Sequence, residues 1–119
     1  MSKTLVIGAS LKPHRYSNIA VQRLVNHGEE VVAYGLRKGK VSGVVIDTEL
    51  KIYENVDTVT LYLNPKNQKA FYDYIVSLHP KRVIFNPGTE NEEFYTILKQ
   101  HDIVVEVACT LVLLSTGQY

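Results

Sequence analysis

The chain has 119 residues, 45% apolar and 21% charged, with a formal net charge of +1. That length suits one domain with one core, read here as residues 1–119, and the near-neutral balance offers no field for gripping nucleic acid or an anionic membrane. No apolar stretch reaches the ~20 residues needed to span a bilayer and the N-terminus lacks a signal-peptide segment; the single cysteine, Cys109, forms no internal disulfide and fits a reducing cytoplasm.

Short β-branched runs alternate with longer amphipathic ones. Lys3 to Ile7 reads as a buried strand bounded by Gly8. Tyr16, Ile19, Ala20 and Leu24 then recur at the spacing of one helix face, and that helix ends near His27-Gly28. Glu30 to Tyr34 reads as a second strand. The stretch from 35 to 56, with "GVVIDTELKIYENV", reads as short extended pieces in a long connection. Asp57 to Leu63 is a third strand, followed by a helix with Phe71, Ile75 and Leu78 on one face. Arg82 to Phe85 is a fourth strand, and its helix turns Phe94, Ile97 and Leu98 inward. Ile103 to Val107 is a fifth strand, and "CTLVLLSTGQY" closes the chain.

Parallel strands need crossover connections, so this alternation predicts an α/β, three-layer, Rossmann-like fold: a five-stranded, mainly parallel sheet with helices on both faces. Ligands of such sheets bind outside the carboxyl ends of the strands, where the strand order reverses. The candidate site walls are therefore the five strand exits: Gly8-Ala9-Ser10, Tyr34 to Arg37, Asn64-Pro65, Asn86 to Thr89, and Ala108 to Thr110.

The first exit has the chemistry of an anion seat. Gly8 permits a sharp turn and a close ligand approach. The helix that follows aims free N–H groups and its positive dipole end at that turn. Ser10 and Ser17 offer hydroxyls, and Arg15 offers a charge-assisted or bidentate contact with phosphate. The competing structural account is that Gly8 only turns the chain, Ser17 caps the helix and Arg15 is solvated. The motif is not G-x-G-x-x-G, since only its first glycine is present. At the second exit, "AYGLRKGK" carries Arg37, Lys38 and Lys40 and no acid of the kind that holds an NAD ribose. Cations there suit a nucleotide with an extra ribose phosphate, either coenzyme A or NADP, unless the turn is simply solvated.

Other chemistry-bearing residues have structural explanations. Cys109 lies at a strand exit, but no histidine adjoins it in sequence to act as its base. His27 and His101 fall at helix C-terminal ends, where a cation meets the dipole favourably; His14 lies in the first exit loop and His79 on the opposite edge. Glu90, Glu92 and Glu93 read as a helix start, with Thr89 and Glu92 as a capping box. Lys81-Arg82 reads as solvated. The eight tyrosines come without a basic stripe, which argues against nucleic-acid binding.

With these pieces in place the sequence resembles the small stand-alone coenzyme A-binding domains, which are similar to the N-terminal Rossmann-like domain of the succinyl-CoA synthetase alpha subunit. The matching pieces are "VIGAS" followed by "RYSN" at 15–18, "NPGTENEE" at 86–93 and "ACTLVLL" at 108–114. The resemblance implies that Gly8, Ser10, Arg15 and Ser17 meet phosphates, with Ala9 and Asn18 completing that loop. It places Arg37 and Lys38 near the adenosine end, and Asn64, Pro65, Gly88 and Thr89 along the pantetheine path. Gly35-Leu36-Arg37 stands where many relatives carry an Asn-Pro pair. The resemblance also implies coenzyme A or an acyl-CoA as ligand and no ligase chemistry, because the synthetase's phosphorylated histidine lies outside this domain. An NADP-dependent oxidoreductase or NADP-binding regulatory module is the alternative, and a purely structural module is the third reading. The apolar tail "TLVLLSTG" is suited to finishing the core, or else to a homodimer contact.

Overall fold

The computed structural model describes residues 3–119. Seven strands form one sheet: β1 (Lys3–Ala9), β2 (Glu30–Gly35), β3 (Gly39–Val41), β4 (Val44–Asp47), β5 (Val56–Leu61), β6 (Arg82–Phe85) and β7 (Val104–Val107). Their order is β3-β4-β2-β1-β5-β6-β7. Only the β3–β4 pair is antiparallel. The expected five strands are therefore seven. The two additional ones come from the connection after β2, where "GKV" and "VVID" fold into a hairpin about Ser42-Gly43, both at positive φ. Runs of three and four residues carry too little periodicity to separate strand from loop; the pairing of β4 with β2 and of β3 with β4 decides it.

Five helices connect or cover the strands: α1 (Tyr16–Asn26), α2 (Pro65–Gln68), α3 (Tyr72–Leu78), α4 (Glu92–Gln100) and α5 (Thr110–Ser115), with a 3₁₀ turn at Lys69–Phe71 joining α2 to α3. Alternation along the central strands supplies both faces of the sheet. Leu5, Ile7, Val59, Leu61, Val83 and Phe85 pack with Ile75 of α3 and Phe94 and Leu98 of α4. Val6, Ala33 and Ile46 pack with Val21 and Leu24 of α1 and Leu114 of α5. Each of the larger side chains, once buried, contributes about 1.5–3 kcal/mol of apolar transfer. The three-layer expectation holds.

Two local readings change. The buried face of α1 is Ser17, Ala20, Val21 and Leu24, while Tyr16 is 64% exposed at the helix start. The start of α4 is Asn91, whose Oδ1 accepts from the Phe94 N–H at 3.2 Å; Thr89 instead turns inward and donates to the Asn86 carbonyl, so the Thr89–Glu92 capping box does not form. His27 and His101 do close the C-terminal ends of α1 and α4, with ring nitrogens on the Arg23 and Ile97 carbonyls.

At the carboxyl end of the sheet the central strands approach so closely that side chains are excluded. A Cβ on Gly35 would lie 2.3 Å from the Ala9 carbonyl oxygen, and one on Gly8, at φ +92°, would lie 3.0 Å from the Tyr62 backbone. Gly28, at φ +79°, has open space instead. Urea denaturation of Gly35→Ala is expected to show a loss of about 3 kcal/mol from backbone overpacking. Gly28→Ala, which meets only the left-handed penalty, is expected to lose about 1 kcal/mol.

Candidate functional site

The chain runs from β1 outward through β2 and β4, then returns to place β5 on the other side of β1. The strand order thus reverses between β1 and β5, at the point where Gly8 faces the Tyr62 backbone. A depression of about 330 Å³ opens there, lined by Gly8, Ser10, His14, Arg15, Tyr16, Ser17 and Tyr62. The four residues expected to meet phosphate, Gly8, Ser10, Arg15 and Ser17, are brought together. β1 runs through Gly8 to Ala9, and its register against β2 shifts there, so the glycine is an irregularity within the strand end rather than a loop residue.

The start of α1 is open. Arg15 occupies the N-cap position, no side chain caps the helix, and its first turn carries no acid. The first N–H groups of a helix have no intrahelical acceptor, and here nothing of opposite sign in the sequence competes for them. Ser17 is buried and does not cap, which removes the structural account offered for it above. Asn18 is buried behind the loop: its Nδ2 donates to the Ser10 carbonyl at 2.8 Å and its Oδ1 accepts from Gln22 Nε2 at 2.6 Å. Ser10 Oγ accepts from the Lys12 N–H at 3.1 Å, which sets the loop's direction. Asn18 therefore shapes the depression without lining it, as Ala9 does from the strand.

Tyr62 went unassigned in the sequence and lies in the wall of the depression. It follows the last residue of β5, so the predicted third strand ends at Leu61 and not at Leu63. Its hydroxyl is buried and has no hydrogen-bond partner. Burial pushes this phenol up to about 12, against the opposing pull of the nearby Thr110 and Thr60 hydroxyls. Those two hydroxyls meet each other at 2.9 Å, and Thr60 also accepts from Asn86 Nδ2 at 2.7 Å. A protonated, unpartnered phenol in this position is a hydrogen-bond donor in search of an acceptor.

The other predicted residues share the carboxyl edge but lie outside this depression. Leu36 is 94% exposed, Arg37 and Lys38 are exposed beside it, and Gly35 is buried against Ala9. Asp47, at the end of β4, brings to this corner an acid that the β2 exit lacks in sequence. Its hydrogen bond from Tyr53 holds the carboxyl below the usual range, with Lys51 at 3.0 Å and Lys38 adding to the effect. Asp47 is thus already committed as an acceptor, and Arg37 has no part in that arrangement. Asn64 caps α2, accepting from the Asn67 N–H at 3.0 Å, and Pro65 is its first residue. Gly88 donates its N–H to the Glu90 carboxylate at 2.8 Å, and Thr89 is buried. The side chains of these last positions serve the fold, leaving backbone and surface to face any ligand.

Cys109 is half-buried at the N-cap of α5. Arg82, expected to be solvated, instead bonds Thr58 Oγ1, Glu106 Oε1 and the Tyr119 carbonyl and stacks on the Tyr119 ring. Among the described residues no group of three or more potential metal ligands assembles, and no helix is long and apolar enough to cross a membrane.

Comparison with known proteins bears on this arrangement. The chain is similar to an uncharacterized protein of known crystal structure at 52% identity, covering 100% of this chain and 98% of that one, with a TM-score of 0.97. It is similar to a hypothetical protein from Pyrococcus horikoshii OT3 at 26% identity, covering 93% and 80%, with a TM-score of 0.83. A Thermus thermophilus protein at 22% identity, covering 99% and 90% with a TM-score of 0.86, shares the fold. No curated protein matches the chain significantly. The model of the CoA binding domain family matches residues 2–115, nearly the whole length, and the chain belongs to that family.

Proposed function

We propose that the protein binds coenzyme A or an acyl-CoA along the carboxyl edge of the sheet, with the diphosphate seated at the β1 exit, and that it catalyses no reaction alone. The observation that carries this reading is the convergence at one depression of positive-φ Gly8, the uncapped start of α1, the Ser10 and Ser17 hydroxyls and the Arg15 guanidinium. These groups are all donors or positive ends of dipoles, and a diphosphate is all acceptor. With its pKa raised to about 12, the Tyr62 phenol beside the depression stays protonated through the physiological range and cannot act there as a base.

The exposed Arg37 and Lys38 at the β2 exit support a ligand with a phosphate on its ribose. Coenzyme A carries one on the 3′ oxygen. NADP carries one on the 2′ oxygen, and those two cations are what keep it as the second reading. A cytoplasmic protein would meet both.

Calorimetric titration with coenzyme A, dephospho-coenzyme A and NADP tests the assignment. Coenzyme A is expected to bind; Arg15→Ala is expected to weaken it about 10- to 100-fold through loss of a charge-assisted contact. The double variant Arg37→Ala/Lys38→Ala is expected to bring coenzyme A down to the affinity of its dephospho form while leaving the latter unchanged. Tight NADP binding with no response to any coenzyme A form would transfer the site to the second reading. In the ligand-free protein, Tyr62→Phe is expected to raise the urea-denaturation stability by about 1 kcal/mol, since it removes a buried hydroxyl with nothing to bond. Stability that falls instead would mean the hydroxyl already has a partner.

A further inference from the structure

The two open edges of the sheet are built differently. β3 is three residues long, carries Lys40, and follows directly on Arg37 and Lys38. Short length and cations are the usual means of keeping an edge from pairing with another chain. β7, at four residues only one longer, carries no cation. Val104 and Val107 are 60% and 57% exposed. The one charge on the strand, Glu106, is drawn onto Arg82 of its own sheet at 2.7 Å. From Ile103 to Tyr119 Glu106 is the only charged side chain, in a chain that is 21% charged, and Val112 of α5 adds a further exposed apolar group.

We propose that β7 is a homodimer interface, in which two copies pair their β7 strands antiparallel about a two-fold axis at Val105 and so join their sheets into one. A second copy is the partner that the edge fits, because it holds no free charge with which to select a different sequence. A two-fold pairing uses the same strand on both sides and closes without leaving a new edge. The register follows from the backbone. The Val104 N–H donates to the Lys81 carbonyl and the Ala108 N–H to the Phe85 carbonyl, both towards the β6 side. Alternation then turns the N–H and C=O groups of Val105 and Val107 outward.

A two-fold axis normal to the sheet keeps each face on its own side, so only residues that point to the same face can stand opposite one another. Centring on Val105 sets it against its own copy as a hydrogen-bonded pair. Val107 then donates to the partner's Ile103, and Val104 lies opposite the partner's Glu106. Moving the centre to Glu106 would set two carboxylates face to face. Moving it to Val104 would set Glu106 against the partner's Asp102. Like charges directly opposite are destabilising, so the central register is selected.

Sedimentation velocity over a dilution series, combined with amide hydrogen exchange, tests the proposal. The expected species has twice the 13.5 kDa chain mass, and the amides of Val105 and Val107 exchange slowly. Val107→Pro removes an N–H that faces away from β6, so it is expected to run at the monomer mass while still melting cooperatively. Should that variant melt without cooperativity, Val107→Asp, a single charge at an exposed position, is expected to give the same monomer. Three results would each overturn the proposal: a wild-type chain that stays monomeric throughout the series, fast exchange at both amides, or a Val107→Asp variant that remains dimeric.

Discussion

Three backbones meet at the carboxyl end of the central strands with no side chain between them: β1 at Gly8 touches the chain just beyond β5 at Tyr62, and β2 at Gly35 touches β1 at Ala9. Any Cβ at either glycine would hold these strands apart. Because they close, the chain leaving β1 is free to bend out of the sheet at φ +92° and to send α1 back across one face. The depression, the open start of α1 and the position of Tyr62 all follow from that contact. A site of this kind is built from absences: no Cβ at Gly8, no side-chain cap on α1, no acid in its first turn. Backbone donors are thereby left pointing at one volume.

The opposite half of the same edge is constructed by satisfaction. Asn86, buried at the end of β6, donates to Thr60 and to the Leu61 carbonyl and accepts from the Thr110 N–H. One amide thereby ties β5, β6 and the start of α5 together. Gln68 does the same one layer out, donating to the Leu63 and Thr89 carbonyls and accepting from Asn91. Fully bonded buried amides of this type rigidify the structure around them, because an alternative arrangement would leave one of them unpaired at a cost of about 1–3 kcal/mol. The rigid half gives the open half something to be open against. Tyr62 stands at the seam, beside the bonded pair of Thr60 and Thr110 hydroxyls.

The parts of this protein that were legible in the sequence are those carried by local pattern. The buried runs of β1, β5 and β6 and the amphipathic face of α4 repeat at periods that admit few other readings, and the parallel sheet follows from their alternation. Gly8, Ser10, Arg15 and Ser17 were legible as a group because a strand followed closely by a helix forces their proximity. The hairpin of β3 and β4 was not legible, since strands of three and four residues owe their existence to pairing, β4 with β2 and β3 with β4. The role of Thr89 was misread because its spacing to Glu92 imitates a capping box, whereas Asn91 offers the better-placed acceptor. Arg82 read as a solvated charge because its partners lie 24 and 37 residues away.

The sequence by itself determined the class of fold and the donor-rich chemistry of the first exit. Hydrophobic period, glycine position and residue type are local properties and need no third dimension to be read. Only the tertiary structure decided which residues share one depression, that Tyr62 stands in its wall, that Asp47 reaches the corner occupied by Lys38, and that one edge of the sheet carries cations while the other carries exposed valines. Each of these depends on which strands become neighbours. Strand neighbours are chosen by the packing of whole faces, a global condition that no short window of residues contains.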